Sequence, residues 1–218
     1  MSQARKGIVR DAVGIGVASG AYALSFGALS IAAGLSLLQT MALSLLMFTG
    51  ASQFAMVGVI GAGGGVWAGA ATAALLGSRN ALYGVRLSSL LGMTQFRRVA
   101  AAQFVIDETT AMAIARDRVE DSRFAFLATG IALFALWNLG TLIGALATHA
   151  LPNPKVLGFD AAPPAAFLAL LAPRLRSREP LAIAVAAGVV ALVVLPFLPA
   201  GVPLLIVAIL VALLGLRR

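Results

Sequence analysis

A chain of 218 residues that is 61% hydrophobic and 11% charged cannot clothe a soluble globule, whose surface draws on about 25% charged residues. The lack of cysteine excludes disulfides and thiolate chemistry, and a single histidine cannot build a zinc site without several carboxylates converging on it. The formal charge of +8 sits at the ends of apolar runs, with no basic patch interleaved with aromatics, so it marks membrane sidedness and not a nucleic-acid surface.

The fold class that follows is all-α: a polytopic membrane helix bundle, one integral domain over residues 1–218, in which helices satisfy their own backbone hydrogen bonds. Apolar runs predict spans near 12–34, 38–62, 66–90, 98–116, 124–149, 159–174, 181–199 and 202–216. The first is too long for a signal-peptide core and reads as a span. Turn chemistry separates the runs at Gly63-Gly64-Gly65, Pro152-Asn153-Pro154, Pro180 and Leu198-Pro199-Ala200-Gly201. The stretch 98–116 is the weakest of the eight, because it carries Gln103, Asp107, Glu108, Thr109 and Thr110. With eight spans and both termini cytoplasmic, Arg5, Lys6, Arg10, Arg116, Arg118, Arg123, Arg174, Arg176, Arg178, Arg217 and Arg218 fall inside, and only Arg97, Arg98 and Lys155 outside. Seven spans is the alternative, favoured less by the basic first segment. The pairs Gly16–Gly20, Gly65–Gly69 and Gly140–Gly144 predict close helix crossings. No phosphate-binding G-x-x-x-x-G-K-[ST] loop is present, so the chain is not its own ATPase. No convincing repeat stands out, although two sets of four spans would permit a parallel one.

The informative residues are those that a bilayer excludes, because a charge near its centre costs several kcal/mol. Thr49-Gly50-Ala51-Ser52-Gln53 lies at the middle of the second run, where a glycine followed by small polar residues can break a helix and turn its N-terminal N–H groups toward an anion. On the third run Arg79 is central, with Asn80 beside it, and Thr72, Arg79, Tyr83 and Arg86 share one helical face. On the fourth, Gln103, Asp107 and Thr110 form a stripe with Glu108 at its edge. Two arginines and two acids sum to zero, which fits either structural ion pairs or a substrate site. On the fifth, Trp137-Asn138 is central, whereas Trp67 at a span end reads as an interfacial anchor. Four polar clusters thus fall near the midpoints of four different runs, the placement expected of a solute site in a secondary transporter.

At these residues the sequence resembles the AzlC family of branched-chain amino acid exporters. The matching stretches are Phe48-Thr49-Gly50-Ala51-Ser52-Gln53-Phe54, Ser78-Arg79-Asn80-Ala81-Leu82-Tyr83-Gly84, Asp107-Glu108-Thr109, Trp137-Asn138-Leu139-Gly140-Thr141, and Leu157-Gly158-Phe159-Asp160 leading to Ala165–Leu171. The arginine motif departs from the family's usual order, since Arg79 precedes Asn80, and Pro163-Pro164 follows Asp160. The resemblance implies export of valine, leucine or isoleucine across the bacterial cytoplasmic membrane, with a small AzlD-like partner, no cofactor, and no enzymatic activity. On this reading Gly50, Ser52, Gln53, Arg79, Asn80, Trp137 and Asn138 bind substrate, Arg79 taking its carboxylate. Asp107 and Glu108 handle its ammonium or a coupling proton.

Three rivals use the same residues. A channel or permease for another small amino acid or weak acid would lack saturable exchange. An intramembrane protease built on Ser52 and His149 fails on depth, because His149 lies about 17 Å beyond Asn138 along a helix, against the roughly 3 Å that proton transfer needs. A non-transporting assembly subunit leaves the midplane polar groups without a purpose.

Overall fold

The computed structural model describes residues 2–150, 168, 172–199 and 201–216. Among these, regular structure is entirely helical: α1 (Gln3–Ala32), α2 (Leu37–Leu46), α3 (Gly50–Gly61), α4 (Val66–Gly77), α5 (Arg79–Leu91), α6 (Gln95–Ala102), α7 (Asp107–Ile114), α8 (Val119–Ala150), α9 (Arg178–Val194) and α10 (Val202–Leu216). Most of the sixth expected span, including Asp160 and Pro163-Pro164, lies outside the described residues.

The frame is a parallel pair, α1 and α8, each about 45 Å long at 1.5 Å per residue. Their first turns are joined by Arg5–Asp121 at 3.7 Å, and Asp11 on α1 meets Arg116, just before α8, at 3.9 Å. Further along, glycines let the backbones touch. A Cβ on Gly16 would lie 2.9 Å from the Leu136 side chain, and one on Gly140 would collide with the Gly20 carbonyl. Two of the expected small-residue pairs therefore face each other across one seam, where backbone contact replaces the hydrophobic drive that lipid removes.

Measured against α8, the other elements take a path that the hydropathy pattern does not reveal. Near the end of α1, Gly34 turns the chain at φ +90°, and Ser36 caps α2 in a reciprocal box with Gln39. Helix α2 then runs back down: Ser44 meets Thr141 at 3.2 Å, and Phe48 meets Phe134 with ring centroids 5.0 Å apart. After an extended break at Met47–Thr49 the chain reverses. Gly50 lies against Trp137, Phe54 stacks on Tyr22, and Gly61 ends beside Ala33 at the tip of α1. The stretch 38–62 is thus no span but a re-entrant hairpin, entering and leaving on one face.

Helices α4 and α5 form a true crossing, kinked at Gly77-Ser78, the kind of pair at which helices bend. It starts with Gly69 beside Met56 and Ile60, and ends where Arg123 donates to the Leu91 and Gly92 carbonyls. There Gly92 turns the chain at φ +51°, and Thr94 is the N-cap of α6. Helix α6 climbs until Phe104 meets Phe134 at 5.7 Å, and the chain breaks again over Gln103–Ile106. Helix α7 descends: Asp107 reaches Arg79, Met112 packs with Ile8, and Arg116 reaches Asp11. The stretch 98–116 is a second re-entrant hairpin, from the opposite face.

Residues 3–61 and 66–114 therefore each comprise a crossing followed by a re-entrant hairpin, in opposite orientation. This is an inverted repeat, not the parallel one that the span count allowed. The first 150 residues cross three times, not five. Arg97 and Arg98, expected opposite to the N-terminus, lie on its face. That basic face carries Arg5, Lys6, Arg10, Arg97, Arg98, Arg116, Arg118 and Arg123, and the opposite face of residues 2–150 carries no Lys or Arg. Helices α9 and α10 pack on each other at the periphery. Their turn at Gly201 lies beside Val59 and Ala68, on the face opposite to the basic one.

Candidate functional site

The two hairpin tips meet at mid-height of α8. Phe48 and Phe104 approach edge-on at 6.4 Å, and the Gln103 amide donates to the Leu45 carbonyl at 2.8 Å. Breaking a helix in lipid frees its last carbonyls, and these need donors. The Gln53 amide supplies one to Leu43 from within the first hairpin at 3.0 Å, and Gln103 supplies the other from the second. Each glutamine is thereby held by its amide nitrogen, and the Gln53 oxygen stays without a partner.

Gly50 opens α3, and its N-cap Thr49 makes no side-chain capping hydrogen bond. The indole of Trp137 closes over it: a Cβ on Gly50 would lie 2.7 Å from Cη2. Trp137 is 4% exposed and packs with Tyr22, Phe26 and Phe54 from α1 and α3, so a mid-membrane tryptophan is explained as the wall behind the first tip. Ser52 is buried in the first turn of α3, and a Cβ on Gly77 would lie 3.2 Å from its Oγ. A cavity of about 360 Å³ lies between α3 and α4. Thr49, Ser52, Ser78 and Asn80 give it a polar end beside Met47, and Met56, Ala70, Ala73 and Ala74 an apolar one.

Beside that cavity Arg79, the first residue of α5, pairs with Asp107, the first of α7, at 2.7 Å; both side chains are about two-fifths exposed (40% and 38%). Asp107 and Glu108 occupy the first turn of α7, where the helix dipole favours negative charge. No second ion pair joins these elements among the described residues. Arg86 is exposed, and neither it nor Glu108 has an ion pair among the described residues. The kink also separates Thr72 from the Arg79 face: Thr72 is buried on α4, donating to Ala68. The break at 103–106 divides the Gln103–Asp107–Thr110 stripe in the same way. Asn138 donates to Phe134 through its nitrogen and leaves its oxygen unpartnered. The His149 side chain lies outside the described residues.

Buried polar atoms in proteins are nearly always hydrogen-bonded, so exceptions demand a reason. Eleven buried side-chain atoms lack a partner among the described residues, and seven belong to residues nominated from sequence: Ser52, Gln53, Arg79, Asn80, Asp107, Trp137 and Asn138. They come from both hairpins, the kinked crossing and α8. Sequence reasoning missed the apolar half of the cavity, since Met56 and the alanines look like any membrane filler. It also missed the repeat, although Gly34-Leu35-Ser36 and Gly92-Met93-Thr94 are the same turn-and-cap signal before each hairpin.

A family model described as AzlC protein matches residues 14–151, a stretch that contains all of these residues. The inner membrane protein YgaZ of Escherichia coli (strain K12) is 29% identical over 187 residues, which cover 81% of this chain and 76% of the relative. No solved structure matches the chain.

Proposed function

Because the chain belongs to the AzlC family, whose match and inner-membrane relative support a transporter-type role, we propose that it is a secondary transporter subunit exporting branched-chain amino acids, and not an enzyme. The observation that carries the reading is that seven buried polar atoms without a partner among the described residues come from the two hairpins, the kinked crossing and α8, the elements that meet at the opposed tips. Half-helices whose N-termini converge near the bilayer midplane, at the interface of inverted repeats, are the architecture in which secondary carriers hold their solutes.

The cavity matches an aliphatic amino acid in kind. Its methionine and alanine wall takes a branched side chain, and its polar end faces the uncapped start of α3. The zwitterion's charges have counterparts in the Arg79–Asp107 pair. A carboxylate drawn to Arg79 and an ammonium drawn to Asp107 would replace one ion pair by two. The planar guanidinium suits a carboxylate better than a lysine would. Glu108, with no ion pair of its own, is then available for a coupling proton. By the positive-inside rule the basic face is cytoplasmic, in a bacterial inner membrane, and a small AzlD-like protein is the companion.

The test is efflux of preloaded radiolabelled leucine from cells expressing the chain with that companion. Saturable efflux in the wild type, lost in Arg79→Ala and impaired in Arg79→Lys, is the expected result. Efflux retained in Arg79→Ala would move the site elsewhere. No efflux from wild-type protein confirmed in the membrane would remove the substrate assignment. Flux indifferent to a pH gradient would remove the coupling proton.

A further inference from the structure

The basic face holds paired and unpaired cations, exposed Lys6 on α1 being one without an ion pair among the described residues. Arg5, Arg10, Arg116 and Arg118 pair with Asp121, Asp11 and Glu120, and Arg123 is spent on the carbonyls that end α5. Arg86, Arg97 and Arg98, on α5 and α6, are exposed, and no Asp or Glu occurs anywhere between Asp11 and Asp107. These three have no ion pair among the described residues, and the acids of their half of the repeat, Asp107 and Glu108, sit at the opposite end of its hairpin, at the tip.

Next to them is a second cavity, also about 360 Å³, between α5, α6 and α8. Its wall is apolar, with Val85, Leu87, Leu91, Val105 and Phe126, and Arg98 is its one charged lining residue among the described residues. The groove follows α5 from Leu91, level with Arg123 at the basic face, to Gly84, about 10 Å deeper at 1.5 Å per residue. It therefore runs along the membrane normal, apolar toward the midplane and cationic toward the surface. About 360 Å³ spread over that length leaves a mean cross-section of roughly 36 Å², enough for a hydrocarbon chain and less than the roughly 80 Å² of a helix about 10 Å across.

We propose that this groove binds an anionic phospholipid of the leaflet at the basic face, one acyl chain lying along α5 and the headgroup phosphate on Arg98, with Arg97 and Arg86 adding to the attraction. A phosphate supplies the counter-charge that residues 12–106 lack, and guanidinium is the side chain best shaped to hold it. The site lies apart from the Arg79–Asp107 cluster and does not depend on the substrate assigned above.

Native mass spectrometry of the purified full-length chain would test it, with phosphatidylglycerol and phosphatidylcholine of identical acyl chains added in turn. The wild type should retain phosphatidylglycerol at least fivefold better, and Arg98→Ala should lose about fivefold of that retention, the effect of one arginine near a charged lipid surface. Ala102→Trp, which fills the groove from an exposed position without touching a charge, should weaken it too, whereas Arg5→Ala on the ion-paired patch should not. Thermal unfolding in phosphatidylcholine confirms that each variant is folded. Equal retention of the two lipids would overturn the proposal, as would wild-type retention by a folded Arg98→Ala or Ala102→Trp. Glycerol phosphate competing as well as the intact lipid would show an anion site with no acyl groove. A bound polypeptide displaced by Ala102→Trp would give the groove to a partner protein.

Discussion

The two hairpins share a path and oppose each other in chemistry. The first, α2–α3, belongs to a stretch without a charged residue from position 12 to position 78; its tip is held by rings and amides, with Trp137 closed over Gly50. The second, α6–α7, begins with Arg97-Arg98, carries Asp107-Glu108 just past its tip, and is held to the kinked crossing by an ion pair. One half-repeat supplies uncapped N–H groups and small polar side chains in a tight apolar setting; the other supplies charge. An inverted repeat fixes where two elements end up, and each copy then specialises. In the proposed carrier the neutral tip shapes the solute's surroundings and the charged tip answers its charges.

The comparison breaks most visibly if the hairpins are spans after all. The chain has no cysteine, so single cysteines report without background. Leu38→Cys and Gly65→Cys, at the two ends of the first hairpin, should both react with a membrane-impermeant maleimide from one face. Phe96→Cys and Asp117→Cys should both react only from the other. The effect is all-or-none, and opposite sidedness within either pair would abolish the repeat.

The neutral tip should be intolerant of bulk. Gly50→Leu drives a side chain into Trp137, an overpacking that costs about 1–3 kcal/mol in a filled core, and should abolish leucine efflux. In a Trp67→Phe background Trp137 is the remaining tryptophan, so its emission should shift in the same variant. Normal efflux with altered emission would separate the tip from transport.

The charged tip should show pairwise coupling. In a double-mutant cycle of Arg79→Ala and Asp107→Ala, the double variant should unfold at a higher temperature than additivity allows, by the equivalent of about 1 kcal/mol for a half-exposed pair. An additive cycle would mean that the ion pair does not latch α7 to α5.

How much of this was legible follows from what hydropathy records. The helical bundle and the shared depth of Gly50, Arg79, Asp107 and Trp137 were readable, because charged or small polar residues in apolar runs are rare enough to stand out. The path was not. Residues 37–61 form 25 residues of apolar helix, break and helix, the length of a tilted span, and composition is blind to a reversal at Met47–Thr49. The error then propagated: counting 38–62 and 98–116 as crossings kept the parity of α8 but put Arg97 and Arg98 on the wrong face. Balanced charge allowed structural ion pairs without assigning partners, because a sum over charges says nothing about which face of α5 each arginine occupies; one forms, Arg79–Asp107, and Arg86 and Glu108 have none among the described residues.

The finest distinction between the tips lies in their two glutamines, which make the same bond with different consequences. The Leu45 carbonyl has Gln103 as its sole donor among the described residues, whereas the Leu43 carbonyl takes both the Gln53 amide and the Met47 N–H, the latter at 3.0 Å. Gln103→Leu therefore leaves a carbonyl of the first tip unbonded and should cost about 1 kcal/mol of stability. Gln53→Leu should cost less, since the carbonyl keeps a donor. Transport should rank the other way, because Gln53 also presents a free oxygen within the buried cluster. Thermal unfolding and leucine efflux on the two variants check this crossed order. The same ranking in both assays would mean that the glutamines differ only in strength, and that the Gln53 oxygen has no part in binding.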